Sequence, residues 1–98
     1  MSLINDKPLI SNAINDSALL SVGQKIILSS LVKFDIGMPI SQIMELTNLT
    51  KQTVHFNLKK LLERGYVSRT KDMFFLYKVE QNKMEELLER YNQTKEST

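Results

Sequence analysis

Apolar positions repeat at helical spacing in several segments of the chain. In the first, they follow Pro8, a residue that a helix tolerates in its first turn, and end near Ile14. In the second, Ser21 and Gln24 have the spacing of a capping box. Apolar residues cover more than one stripe over 26–34, which predicts a central and largely buried helix.

The next two segments are predicted helices separated by a very short break. Ser41 is the predicted N-cap of the first, whose inner face is formed by Ile40, Ile43 and Met44. Asn48 suits the break because asparagine adopts the left-handed conformation more readily than most residues. Thr50 is the predicted N-cap of the second helix, which runs to about Arg64 and stops at Gly65. Its predicted inward residues are Val54, Leu58, Leu61 and Leu62.

The rest of the chain predicts a hairpin and a terminal helix. Residues 66–70 and 74–79 are rich in aromatic and β-branched side chains, and the polar segment 71–73 separates them as a turn. Apolar residues then recur at i, i+3, i+4 and i+7 over 81–92, which indicates an amphipathic helix whose end, 93–98, frays. The fold class is therefore mainly α with a small β-hairpin, an α+β winged helix-turn-helix.

Length and composition limit the possible functions. The 98 residues suffice for one domain, which we divide into an N-terminal arm and helix (1–20), a winged-helix core (21–79) and a C-terminal helix (80–98). The absence of cysteine and the single histidine exclude disulfides, thiolate metal sites and multi-histidine sites. No apolar run approaches the roughly 20 residues of a membrane span, and no secretion signal is apparent, so we expect a cytoplasmic protein with no membrane partner. Without catalytic or phosphate-loop motifs, we expect neither an enzyme nor a cofactor.

Positive charge is concentrated in one third of the chain. Residues 48–79 contain seven lysines and arginines against Glu63 and Asp72, a net charge of +5, while the remainder has six basic and nine acidic residues, a net −3. Such asymmetry is typical of a surface that binds a polyanion. A helix-turn-helix whose second helix is basic and precedes a basic hairpin suits double-stranded DNA, because the major groove admits one helix.

The positions of the second helix that its core face does not need, together with the hairpin, supply the candidate DNA contacts. Gln52, His55 and Asn57 are predicted to pair with base edges, and the lysines and Thr53 suit phosphates. The hairpin cations are expected to contact phosphates or the minor groove. The full predicted set is Lys51, Gln52, Thr53, His55, Asn57, Lys59, Lys60, Arg69 and Lys71.

The segment ISQIMELTNLTKQTVHFNLKKLLERGYVSR (Ile40–Arg69) resembles the winged-helix core of bacterial and archaeal ArsR/MarR-type regulators. The match is strongest over 43–50 and continues through 65–67. The hairpin followed at once by the last helix resembles the ArsR group more, in which a short wing leads to a dimerising helix. Two departures are the absent metal-binding cysteines and the missing Asp-x-Arg wing signature of MarR proteins, of which Lys71–Phe74 keeps only the aspartate. The resemblance implies a prokaryotic transcription regulator.

The apolar stripe of the last helix must be buried against something. We predict that it pairs with the N-terminal helix and with a two-fold-related copy, giving a homodimer with two recognition helices. The alternative is packing within a monomer. The predicted interface residues are Leu9, Ile10, Ile14, Met84, Leu87, Leu88 and Tyr91.

The sequence thus predicts a homodimeric, sequence-specific regulator, with its recognition helix (about 51–64) in the major groove and its wing (67–78) on the backbone or minor groove. One alternative is a winged helix used as a protein-protein interaction module, which the clustered lysines disfavour. Another is a DNA-binding protein of plasmid or viral replication or partition. No residue cluster identifies a small-molecule effector.

Overall fold

The computed structural model describes residues 7–34 and 36–96, so residues 1–6 of the predicted arm and the last two residues lie outside the described part. Within it, helices and strands follow the predicted order. They are α1 (Lys7–Asp16), α2 (Val22–Leu31), α3 (Ile40–Thr47), α4 (Lys51–Glu63), β1 (Val67–Lys71), β2 (Phe75–Val79) and α5 (Gln81–Glu96). The helix-turn-helix consists of α3 and α4, and the β1–β2 hairpin is the wing. This arrangement confirms the predicted α+β winged helix-turn-helix.

Two helices begin with the side-chain caps that the sequence predicts. The Ser21 hydroxyl accepts a hydrogen bond from the Gln24 N–H at 3.3 Å, and Gln24 Oε1 accepts one from the Ser21 N–H at 3.1 Å, which completes the capping box of α2. At the start of α4, Thr50 Oγ1 accepts a hydrogen bond from the Thr53 N–H at 3.2 Å. Both helix starts are therefore set by local sequence.

Two left-handed residues bound the recognition helix. Asn48 has φ 59° and ψ 24°, the tight turn that separates α3 from α4. Gly65 has φ 79°; its N–H donates to the Leu62 carbonyl at 3.1 Å, and the Tyr66 N–H donates to the Leu61 carbonyl at 3.0 Å. These two bonds form a Schellman motif, which ends α4 and turns the chain into β1.

Several predicted boundaries are wrong by a few residues. Pro39, in extended conformation, is the N-cap of α3, so Ser41 lies inside the helix rather than at its cap. Both strands begin one residue later than predicted, and Tyr66 precedes β1 because its N–H still closes α4. Helix α5 continues to Glu96, beyond the end near Asn92 that the periodicity predicts.

The wing is anchored at its base by a third segment. Its two strands pair antiparallel, with Arg69 opposite Tyr77. On the other side of β2, Met38 and Tyr77 exchange two backbone hydrogen bonds, each 2.9 Å long. The segment that enters α3 therefore holds the wing on the helix-turn-helix.

The apolar stripes of α1 and α5 face each other within the chain and belong to the core. Four of the predicted interface residues are at most 4% exposed: Ile10, Ile14, Met84 and Leu87. Their assignment to a dimer interface is wrong, because each stripe already buries the other. Leu88 and Tyr91 are partly buried against the same core, and Leu9 is 47% exposed. Ile26 of α2 is also exposed, as is Phe34, which lies beyond the end of α2 at Leu31, so the segment predicted as a buried helix is shorter and less fully buried than predicted.

Truncation of Leu87 tests this internal packing. Leu87→Ala is expected to lower the free energy of unfolding by about 2–4 kcal/mol, because it removes a buried side chain and leaves a cavity. Urea unfolding followed by circular dichroism measures the loss. Glu85→Ala, at an exposed position of the same helix, is the control and should change the stability by less than about 0.5 kcal/mol. If Leu87→Ala kept the native stability but changed the mass measured by sedimentation, Leu87 would instead belong to an interface between two chains.

Candidate nucleic-acid interface

Helix α4 has one buried face and one exposed face. Val54, Leu58 and Leu61 are buried, and α4 packs on α2, α3 and β1. The exposed face carries seven side chains: Lys51, Gln52, His55, Phe56, Lys59, Lys60 and, at the end of the helix, Glu63. Five of these seven are predicted DNA contacts, so the structure presents most of the α4 set on one helix surface.

Thr53 lies at the margin of this surface and is half-buried. The Thr50 hydroxyl donates to Thr53 Oγ1 at 2.9 Å while accepting from the Thr53 N–H. Because a hydroxyl donates one hydrogen, the O–H of Thr53 remains available as a donor. That arrangement suits the phosphate contact predicted for Thr53.

Asn57 does not belong to the exposed surface, and its prediction as a base contact is wrong. Its side chain is 6% exposed, and its Nδ2 donates to the Thr53 carbonyl at 2.9 Å. It lies so close to α2 that a Cβ placed on Gly23 would be 2.6 Å from Asn57 Nδ2. Its spacing of three from Val54 and four from Leu61 places it on the core face, which the sequence could have indicated. Asn57 is a residue that positions α4.

A second polar contact, which the sequence reasoning missed, joins the C-terminal end of α4 to α2. Arg64 Nη1 donates to Gln24 Oε1 at 3.1 Å, the same oxygen that accepts from the Ser21 N–H. The Arg64 guanidinium also lies 5.1 Å from the centroid of the Tyr66 ring. This cation, counted in the basic excess of residues 48–79, is therefore engaged in holding α4 on α2.

The wing keeps its two predicted cations on one face. Arg69 and Lys71 are exposed, and their charged groups lie 4.3 Å and 5.3 Å from the centroid of the Phe75 ring. Residues two apart in a strand share a face, and Phe75 is paired directly with Lys71. The aromatic ring therefore holds both cations beside each other through cation–π attraction.

Two grooves bring α4 and the wing together. The first, about 440 Å³, has an α3 side formed by Pro39, Ile40, Ser41 and Met44, and is closed by Lys51 and His55 of α4 and by Phe74 and Phe75 of the wing. The second, about 610 Å³, is lined by His55, Lys59 and Glu63 of α4 and by Arg69 of the wing. The two basic segments of the sequence therefore form one surface. Gln52 and Lys60 line neither groove, and Lys60 Nζ lies 5.6 Å from the centroid of the Phe56 ring.

Over 7–34 and 36–96, no three histidine, aspartate or glutamate side chains are grouped in a way that could hold a metal ion. No helix in the same ranges has the length and apolar character needed to cross a membrane.

Comparison with known families identifies the class of this domain. Residues 25–68, which include the turn, α3, α4 and the start of β1, match the family model described as winged helix-turn-helix DNA-binding. This part of the chain is therefore similar to a winged helix-turn-helix DNA-binding domain. Among curated proteins, none matches the chain significantly.

Solved structures share the fold over nearly the whole chain. The ST1889 protein from the thermoacidophilic archaeon Sulfolobus tokodaii is 24% identical, with a TM-score of 0.62, and the match covers 98% of this chain and 96% of that one. The MarR family transcription regulator SP03579 is 16% identical, with a TM-score of 0.64, over 97% of this chain and 66% of its own. These two likenesses show that the fold, terminal helices included, is shared with known proteins, while the closer resemblance to the ArsR group stays a prediction.

The contact between Gly23 and Asn57 can be tested by a double-mutant cycle. Gly23→Ala is expected to destabilise the chain by about 1–2 kcal/mol, because the new Cβ collides with the buried Asn57 amide. In an Asn57→Ala background the same change should become neutral or stabilise by up to roughly 1 kcal/mol, since alanine is the better helix former. Urea unfolding of the four chains measures the coupling. An equal cost of Gly23→Ala in both backgrounds would show that the two side chains do not meet.

Proposed function

We propose that the chain is a sequence-specific regulator of transcription that binds double-stranded DNA. In this proposal α4 lies in the major groove and the wing lies on the backbone or in the adjacent minor groove. The observation that carries it is the joining of Lys51, Lys59 and Arg69 around the grooves between α4 and the wing. Such a regulator acts in the cytoplasm of a prokaryotic cell.

The exposed surface of α4 suits both kinds of DNA contact. Gln52 and His55 lie in the first two turns of α4 and are exposed, and an amide or imidazole there can pair with base edges. Lys51, Lys59 and Thr53 supply donors for phosphates on either side, which set the register without carrying sequence information. Regulation of transcription is supported by the similar fold of a MarR family transcription regulator.

The proposal includes a homodimer, whose two α4 helices would meet successive major grooves about 34 Å apart. The buried stripe cannot serve as its interface. The surface that remains is the outer edge of α1 and α5, where Leu9 is half-exposed one helical turn before Ala13. Ala13 borders a groove of about 360 Å³ that Leu19 and Tyr91 also line. The apolar part of this lining, next to the charged Asp16 and Arg90, supports self-association there.

One observation favours a second function. Phe56 is exposed at the centre of the surface of α4, where a protein partner would bury an aromatic ring well. A winged helix used as a protein-protein interaction module is therefore the alternative. The lysines that surround Phe56 favour DNA instead, because they neutralise phosphates. Replication or partition of a plasmid or virus would use the same DNA contacts.

Replacing Lys59 tests the interface with DNA. Fluorescence anisotropy with labelled duplexes, titrated over a range of salt concentrations, measures affinity and its salt dependence. Lys59→Ala is expected to weaken binding to all sequences alike and to reduce the slope of log K against log salt by about 0.9, one phosphate contact. Lys25→Ala is the control, because Lys25 Nζ donates to the Asn15 carbonyl of α1 at 2.8 Å.

One outcome would contradict the role of Lys59, and another would contradict DNA binding as a whole. An unchanged affinity and slope for Lys59→Ala would remove that lysine from the interface. No binding of the unmodified chain to any duplex at low salt would reject DNA as the target, and a search for protein partners that bury Phe56 would follow.

The dimer is tested separately, by sedimentation of the free protein. The unmodified chain is expected to sediment at twice its chain mass, and Leu9→Lys should shift it toward the monomer, because the edge would then bring two like charges together. Val22→Lys, at an exposed apolar position of α2, is the matched control and should leave the mass unchanged. A monomeric unmodified chain, or an intact dimer with Leu9→Lys, would contradict this interface.

A further inference from the structure

The tip of the wing is apolar. Met73 and Phe74 lie between β1 and β2, at the end of the hairpin, and are 88% and 57% exposed. The turn is closed by the Asp72 N–H, which donates to the Phe74 carbonyl at 3.1 Å. Two adjacent large apolar side chains are thus held in solvent at the outermost point of the hairpin.

The two strands that lead to this tip, β1 and β2, are basic. Between residues 67 and 79 the charged side chains are Arg69, Lys71, Asp72 and Lys78, a net charge of +2. Arg69 and Lys71 are both drawn to the ring of Phe75, next to the tip. Asp72 is the one acid of this segment, and it would disfavour contact between the tip and a phosphate. Cationic strands on either side of an apolar turn suit duplex DNA, because its phosphates are anionic and the gap between its stacked bases is apolar.

The tip also shares a surface with the recognition helix. Phe74 borders the same groove as Lys51 and His55 of α4. Beyond the buried Tyr77, the strand continues through Leu76 and Phe75, about 7 Å, before the turn that carries Phe74 and Met73. The tip therefore stands beyond the last buried residue of the wing, beside the surface of α4.

We infer that Met73 is a wedge that enters the stack of base pairs from the minor groove beside the major groove occupied by α4, with Phe74 packed next to it. Apolar side chains of this kind partly unstack a base step and bend the duplex by roughly 20–90°. Arg69 and Lys71 would then contact the phosphates on either side. The inference rests on the proposed function and adds to it a determinant of specificity at the wing.

The wedge predicts a preference that α4 does not supply. Pyrimidine–purine steps unstack more easily than A-tracts, so the bound site should carry a TA or CA step about half a turn from the bases under α4. A protein partner is the less favoured occupant of the tip. Phe74 shares its groove with Lys51 and His55, so a protein covering it would also cover that part of α4.

The test uses a short duplex that the unmodified chain itself selects from random sequence, labelled with a donor and an acceptor at its two ends. Anisotropy reports binding, and energy transfer between the ends reports bending. The unmodified chain is expected to raise the transfer, whereas Met73→Ser should bind with the transfer near that of free DNA. Met73→Ser should also lose a preference for TA over AA at the flanking step of roughly five-fold or more. Val22→Ser, an equally exposed apolar position outside the wing, should behave as the unmodified chain.

The outcomes separate the wedge from DNA binding itself. Binding of the unmodified chain without a change in transfer would overturn the wedge and leave the DNA interface intact. Full bending and step preference by Met73→Ser would also overturn it and assign the apolar tip to a protein partner. Absence of binding in the anisotropy measurement would reject the proposed function and, with it, the wedge.

Discussion

The surface that α4 presents to solvent depends on the contact of its opposite face with the first turn of α2. Asn57 fits against Gly23, where a side chain would leave no room, and Arg64 is bonded to the neighbouring Gln24. The same Gln24 oxygen accepts from the Ser21 N–H, so the cap that starts α2 also orients the partner of Arg64. One turn of α2 thereby fixes both the spacing and the rotation of the recognition helix.

Features that depend on a few consecutive residues were predictable from the sequence. The capping box of α2, the Thr50 cap, the left-handed Asn48 and the Gly65 stop are all confirmed, because each rests on the backbone preferences and hydrogen bonds of near neighbours. Most of the exposed basic positions of α4 followed from the same periodicity. Asn57 was misplaced because its polar side chain was given more weight than its spacing from Val54 and Leu61, and the glycine that leaves room for it lies two helices away.

The terminal helices and the wing tip show two other limits. Periodicity indicates that the stripe of α5 is buried, but not whether α1 of the same chain or of another covers it, since both choices bury similar area. The wing tip was treated as a polar turn, because the lysine and aspartate beside Met73 dominated the pattern. Its apolar character became apparent only when the structure moved the boundary of β2 and left Phe74 in the turn.

The bridge between Met38 and Tyr77 couples the position of the wing to that of α3. Because β2 is bonded to the segment that enters α3, any tilt of α3 is transmitted to the base of the hairpin. Leu76 and Phe75 carry the hairpin about 7 Å beyond Tyr77 before the turn begins, so a tilt of about 5° would displace the start of the turn by roughly 0.6 Å. A small change at the start of α3 would therefore be passed on to the turn of the wing, where it would alter the fit of the proposed wedge to a base step.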